Sequence, residues 1–382
     1  MNSREDLLGE IFSRIADELN ITDTMFAKAV ASYNAVGKWI GDGIDYAVTI
    51  MPQGSMNLGT VVKPLDDRDD YDIDLVCLLE DGNGLPAKNV KTIVGDRLKE
   101  NETYRKKLDP EGRRCWTMQY DEFHMDILPC VPEADKFAIP GASQIELTDK
   151  NKLAGTYQFK PSNPAAYHDW FLAKAQPCAR VLNEKFAAKK TDIKPVPSQA
   201  SQLKTPLQKA IQLLKRHRDV CFINKPDCSP ISVIITTLAA QASPHEDNVF
   251  AALKTILGNM ERFIENRNDG YVVANPVMPE ENFAERWNAN PQLAQSFFQR
   301  IAKAREDFLV TTEKLSGLDK FAEHFKKILL QQPVERAFNK LGDAMRESRD
   351  GGTLKLTGLA SGLSYASGAS GTAVRPHTFF GK

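Results

Sequence analysis

Apolar positions recur at two different periods along this 382-residue chain, and the switches between them mark its elements. Leu7, Leu8, Ile11, Ile15 and Leu19 fall at helical spacing behind Ser3-Arg4-Glu5-Asp6, a helix start with a capping residue. A second helix starts at Thr22 or Thr24, runs through Met25, Val30, Tyr33, Val36 and Ile40, and ends at Gly41 to Gly43. Residues 46–51 then form an apolar strand. Gln53-Gly54-Ser55-Met56-Asn57-Leu58-Gly59-Thr60 reads as a tight turn opening a short helix, and apolar residues from Tyr71 through Leu79 mark a buried strand. Asp81-Gly82-Asn83-Gly84 is a loop.

Residues 87–107 predict one amphipathic helix, with Val90, Ile93, Val94, Leu98 and Tyr104 on one side and its lysines on a solvated face. Residues 115–120 and 123–128 predict an antiparallel pair turning at Asp121-Glu122, and 129–140 a loop. Beyond this the helical period dominates. Ser162-Asn163-Pro164 caps a helix containing Tyr167, Trp170 and Phe171, and 189–201 reads as a loop. The helix at 203–222 turns Leu207, Ile211, Leu214 and Phe222 inward. It carries a basic cluster of Lys209, Lys215, Arg216, His217 and Arg218, whose last three members read as a solvated face. Ser229-Pro230-Ile231-Ser232 opens a very apolar helix, and 247–265, 291–315 and 333–346 complete a mostly helical region. From Gly351 the chain mixes Gly with Ser, Thr and Ala, too little apolar area to fold, and reads as a flexible tail. Its aromatic end, Phe379-Phe380, has the look of a docking motif. The pattern is α+β: a mixed sheet with flanking helices, then a mostly helical domain.

Composition narrows the class. Hydrophobic content is 42% and net charge −1, ordinary for a globular chain and without an overall basic field to draw in nucleic acid. No apolar run would span a membrane, and the charged N-terminus is not a signal peptide. The six cysteines show no CxxC spacing, as in reduced, cytoplasmic proteins; Cys221 and Cys228 read as structural.

The candidate chemistry lies on the second strand. Asp72 and Asp74 are one residue apart, so on a strand both carboxylates point to one face. They repel unless a cation lies between them, and magnesium suits, because it takes oxygen ligands and leaves positions for substrate phosphates. Asp126, inside the apolar run Phe123-His124-Met125-Asp126-Ile127-Leu128, would complete a two-metal site. Its competing reading is an ion pair with Arg113 or Arg114. For Asp72 and Asp74 the competing reading is a solvated acidic run continuing Asp66, Asp67, Asp69 and Asp70, but the apolar content begins at Tyr71. A calcium loop from Asp70 fails because Leu75 stands where Gly is needed. Gly54 and Ser55 supply close backbone approach and a hydroxyl at a helix start, which favour phosphate.

Gly-Ser, then Asp-x-Asp on the next strand, then a single Asp later, resembles the polymerase-beta-like nucleotidyltransferase superfamily. The fuller string Gln-Gly-Ser-x-x-x-Gly-Thr-x-x-x-Pro with Tyr-Asp-Ile-Asp-Leu-Val is similar to the bacterial cGAS/DncV-like nucleotidyltransferases, the CD-NTases. The resemblance spans 45–130 most clearly and extends to about 290. It implies a nucleotidyltransferase core with N-terminal helices over 1–160, a mostly helical domain closing the nucleotide cleft over 161–350, and the tail over 351–382. It implies a cyclic oligonucleotide synthase that joins NTPs with release of pyrophosphate, in anti-phage (CBASS-type) defence. Two Mg2+ ions, with Mn2+ as a substitute, would be held by Asp72, Asp74 and Asp126. Gln53, Gly54, Ser55, Lys215 and Ser232 would bind nucleotide; the family places such a Lys and Ser on the donor triphosphate. Partners implied are nucleoside triphosphates and a conjugation or regulatory partner at the tail, with no membrane and no nucleic-acid activator indicated. The last residue is Lys382 where conjugation would use Gly. Two rival readings share the motifs: a nucleotidyltransferase acting on a protein, an RNA end or a small molecule, and an inactive nucleotide-binding scaffold.

Overall fold

The computed structural model describes residues 3–65, 70–133, 143–175, 191–193, 196, 204–243, 245–356, 363–364 and 372–374. Helices α1 (Ser3–Glu18) and α2 (Asp23–Gly43) come first, followed by strand β1 (Val48–Gln53), the one-turn helix α3 (Gly54–Asn57) and β2 (Tyr71–Leu79). Helices α4 (Ala87–Glu100) and α5 (Glu102–Lys107) precede β3 (Trp116–Gln119), β4 (Phe123–Pro132), β5 (Ile145–Lys150) and β6 (Tyr157–Ser162). After α6 (Pro164–Ala175) and the short β7 (Thr191–Ile193), the chain is mainly helical: α7 (Pro206–Phe222), α8 (Ser232–Ala242), α9 (Val249–Asn259), α10 (Glu285–Ala289) and α11 (Pro291–Arg305). A π turn (Glu306–Val310) links α11 to α12 (Thr311–Lys314), and α13 (Leu318–Leu329) and α14 (Gln331–Asp350) follow. Among the described residues no helix is long and apolar enough to cross a membrane.

The chain divides into two compact units, one of residues 21–204 with 274–281, the other of 1–20, 205–273 and 282–382. Where the expected core was 1–160, the first unit runs to 204 and takes in 274–281, and the first helix groups with the other unit. Phe12 of α1 stacks on Phe250 (6.0 Å), meets Phe308 edge-on (5.6 Å) and packs tilted against Phe325 (4.8 Å), so its apolar stripe is buried in the second unit's core.

The first unit holds a sheet ordered β6-β5-β4-β2-β1-β7, with β3 on β4. β2 and β4 are parallel and β1 runs antiparallel to β2, a mixed sheet in an α+β unit as expected. Strand alternation gives the faces opposite characters. Ile73, Leu75, Cys77 and Leu79 of β2 and Phe123, Met125 and Ile127 of β4 enter the main core, closed by Tyr33, Val36 and Ile40 of α2 and Val90, Val94 and Leu98 of α4. On the other face Val76, Leu128 and Cys130 join a small cluster with Ile145 and Leu147. The same face, two residues earlier on each strand, carries Asp74 and Asp126.

Several expectations change. The helix over 87–107 breaks at Asn101, whose side chain leaves the helical path to accept from Thr103 N (2.9 Å) and Tyr104 N (3.2 Å), capping α5 instead. Lys91 is not on a solvated face. It is fully buried, and its Nζ donates to the carbonyls of Gly112 and Arg113, both at 2.8 Å. β4 continues to Pro132 where a loop was expected; residues 134–140 of that loop lie outside the described residues. The expected solvated face of α7 is also overturned: Arg216 and His217 are buried, His217 against Asp307 at 3.0 Å, and Arg218 is half-buried. Strands pair within the Gly-rich tail, Leu363–Ser364 and Thr372–Ala373 each beside Lys355–Leu356. Residues 375–382, with the docking and conjugation expectations attached to them, lie outside the described residues.

Candidate active site

The hairpin and sheet registers bring the three aspartates together. Asp74 on β2 is directly beside Asp126 on the parallel β4, and Asp72 is beside His124. Partners in register share a face, and Asp72 shares it with Asp74 through the two-residue period. All three carboxylates therefore stand on one face of two adjacent strands. Asp72 is exposed, while Asp74 and Asp126 are half-buried at the point where that face turns from polar to apolar. Gln53 enters the same face, because β1 pairs Gln53 with Asp74.

Gly54 follows Gln53 at the strand-to-helix turn, with φ +68°, a left-handed conformation that glycine takes without strain. A side chain there would displace the carboxylate: a Cβ on Gly54 would lie 1.8 Å from Asp74 Oδ2. The absence of that atom lets the turn close onto the carboxylate. Ser55 is the next residue of α3 and is half-buried.

Thr117 and Cys115 were not anticipated. Thr117, paired with Asp126 across the β3–β4 hairpin, donates from its hydroxyl to Asp126 Oδ1 at 2.5 Å. The Cys115 thiol lies 3.6 Å from the Thr117 hydroxyl. Burial pushes that thiol up to about 11, and the neighbouring Asp126 carboxylate pushes it the same way, so it stays a neutral thiol. The signal for Thr117 was in the sequence. A two-residue turn at Asp121-Glu122 fixes 120 opposite 123, and hence 117 opposite 126. His124 is a second addition. Its Nε2 meets Asp70 Oδ2 at 2.8 Å and ties the start of β2 to β4. The competing ion pair for Asp126 is not formed. Arg113 grips Asp149 with two bonds (2.6 and 2.9 Å), and Arg114 approaches the same carboxylate at 3.9 Å. Asp66, Asp67 and Asp69 lie outside the described residues.

The donor set fits a magnesium ion: all oxygen, anionic and aligned on one face. Among the described residues no group of three His, Cys, Asp or Glu side chains is placed to hold a metal ion by itself. An ion that completes its shell with substrate phosphates and water needs an open set of this kind.

Lys215 and Ser232 belong to the other unit. α7 begins with a full capping box between Thr205 and Gln208, and Lys215 is buried along it. Ser232 is the first residue of α8, half-buried, and its hydroxyl accepts from Arg218 Nη1 at 2.7 Å.

Residues 48–129 match the family model described as the nucleotidyltransferase domain of Cyclic GMP-AMP synthase DncV-like proteins. A c-di-GMP synthase of Roseivirga ehrenbergii is 29% identical over 98% of this chain and 97% of its own length. The cyclic dinucleotide synthase CdnG of Bradyrhizobium diazoefficiens is 26% identical over 99% of this chain and 95% of its own. Among solved structures, CdnG from that organism, a CD-NTase in complex with GTP, superposes with a TM-score of 0.67 at 23% identity, covering 88% of this chain and 99% of its own. The fold is thus the polymerase-beta-like nucleotidyltransferase fold of the CD-NTases.

Proposed function

We propose, from the match of residues 48–129 to a DncV-like nucleotidyltransferase domain and the similarity of nearly the whole chain to two cyclic dinucleotide synthases, that this chain is a CD-NTase that joins two or more nucleoside triphosphates into a cyclic oligonucleotide, releasing pyrophosphate, as a messenger in anti-phage defence in the cytoplasm. The observation that carries the proposal is the register of β2 and β4. It sets Asp126 beside Asp74, with Asp72 on the same face and Gly54 closed against it.

In this reading Gly54 and Ser55 receive donor phosphates through the backbone and hydroxyl of the turn, with Gln53 alongside. Lys215, a compact cation, and Ser232 bind the donor triphosphate. Asp72, Asp74 and Asp126 would hold magnesium, which when bound neutralises phosphate charge and lowers the barrier to forming the alkoxide. A ribose hydroxyl of the acceptor attacks the donor α-phosphorus. The new P–O bond forms as the bond to the β-phosphate oxygen breaks, and pyrophosphate leaves. Thr117 occupies Oδ1 of Asp126, so Oδ2 is the oxygen that takes the hydroxyl's proton. A second attack, within the linear product, closes the ring. Alignment and fixed charge supply most of the rate.

The test is incubation of the purified protein with labelled NTPs and magnesium alone. A product that resists phosphatase and is assigned by mass spectrometry as a ring supports the proposal. A label transferred only on adding a protein, RNA or small-molecule acceptor would replace it with one of the rival transferases.

A further inference from the structure

Arg218 was expected on a solvated face. Instead its side chain is 16% exposed and engages Ser232. Its guanidinium is fully oriented. Nε and Nη2 both bond Asp219 Oδ1, at 2.8 and 2.6 Å, while Nη1 donates to Ser232 Oγ at 2.7 Å and to the Pro230 carbonyl at 3.2 Å.

Two physical consequences follow. First, Asp219 offsets the guanidinium charge, so Arg218 contributes direction more than net positive charge. Second, a serine hydroxyl that accepts a charged N–H has one of its two lone pairs occupied and its hydrogen turned away from that donor, available to be given elsewhere. Arg218 therefore orients the Ser232 hydroxyl with its hydrogen directed away from the guanidinium. Ile231, the residue before α8, makes no side-chain cap bond, so the first-turn N–H groups that begin at Ser232 have no cap from that side chain. Ser232 and Ile231 both reach solvent. Arg218 also lies one turn along α7 from Lys215, on the same side of the helix.

We propose that Arg218 is a positioning residue for triphosphate recognition. It fixes the Ser232 hydroxyl as a hydrogen-bond donor to a phosphate oxygen, with Asp219 fixing Arg218 in turn. This rests on the reading of Ser232 as a donor-triphosphate ligand and extends it to the residues that give the hydroxyl its polarity.

The experiment is a double-mutant cycle on binding of a non-hydrolysable NTP, measured by calorimetry on the full chain. The variants are Arg218→Ala, Ser232→Ala and the pair. Each single change is expected to weaken binding about tenfold, the size of one charge-assisted bond, and the double change no more than Ser232→Ala alone. The corresponding NMP, without the outer phosphates, should bind all variants equally, which a general loss of folding would not allow. Asp219→Asn, which loosens the guanidinium without removing it, should give a smaller loss that also vanishes in the Ser232→Ala background. Losses that multiply in the double variant, or an Arg218→Ala protein that binds NTP normally, overturn the inference. If Arg218→Ala fails to fold, Asp219→Asn decides by the same criterion. A wild-type protein that binds no NTP would instead overturn the reading beneath it.

Discussion

Gly54 and Asp74 approach so closely that a single added carbon on the glycine would lie 1.8 Å from the carboxylate oxygen. The turn that would receive phosphate and the strand that would hold the cation are packed as one piece. Gly54→Ala meets both that overlap and a φ of +68°, where a non-glycine residue costs about 1–2 kcal/mol. The expected outcome is a folded protein, by circular dichroism, with a lowered Tm and product formation reduced at least about a hundredfold, since a misplacement of order 1 Å costs that much.

Thr117 is the partner that leaves one oxygen of Asp126 for chemistry. Thr117→Val keeps the shape of the side chain and removes the donor to Oδ1. A hydrogen bond to a charged group contributes about 1.5–3 kcal/mol, so kcat should fall about ten- to a hundredfold with KM for NTP nearly unchanged. Steady-state kinetics at saturating magnesium check this. Thr117→Ser, which keeps the hydroxyl, should recover most of the rate.

How much of this was legible in the sequence differs from element to element. The aspartates were readable because a two-residue period puts Asp72 and Asp74 on one face whatever the fold around them. Asp126 was readable as a charge inside an apolar run. Thr117 carries a weaker signal: its register opposite Asp126 follows from the turn, but a lone Thr in a short strand has no pattern that marks its hydroxyl as an acid's partner. His217 and Arg216 could not be placed. The partner that buries His217, Asp307, is 90 positions away on a π turn that helical spacing does not announce. β5 and β6 went unnoticed because their apolar alternation, Ile145 and Leu147, is too short to rise above a loop. α1 was read correctly as a helix and assigned to the wrong unit, since an amphipathic stripe says that a face is buried and not against what.

Lys91 gives a pH signature. Burial is the main cause holding its ammonium down at about 8. In the unfolded chain a lysine titrates near 10.4, so between these values the unfolded state binds more protons and stability rises with pH. The deprotonated amine still has hydrogens for both carbonyls, so nothing is lost on titration. Urea unfolding at pH 7.5 and 9.5 should show wild type gaining stability relative to Lys91→Met. An equal response of the two proteins would place the Lys91 pKa at its ordinary value.

The Arg113–Asp149 pair stiffens the loop that leads into β3. Asp149 is 1% exposed and accepts two bonds from Arg113, which together with Arg114 hold its carboxyl below the usual range despite burial. A depressed carboxylate pKa contributes stability that is present above the unfolded pKa and lost as pH falls through the folded one. Asp149→Asn should therefore lower stability at pH 7 by roughly 1–3 kcal/mol, and the difference from wild type should shrink in unfolding curves taken near pH 3.

The central claim is that three carboxylates on one face of β2 and β4 carry the reaction. It is tested most directly by Asp72→Asn combined with Asp74→Asn, with cyclic product from mixed NTPs and magnesium quantified by mass spectrometry beside a thermal-melt control. The account expects a folded protein that makes no ring and shows no response to added magnesium. Undiminished ring formation by that folded double variant would contradict it.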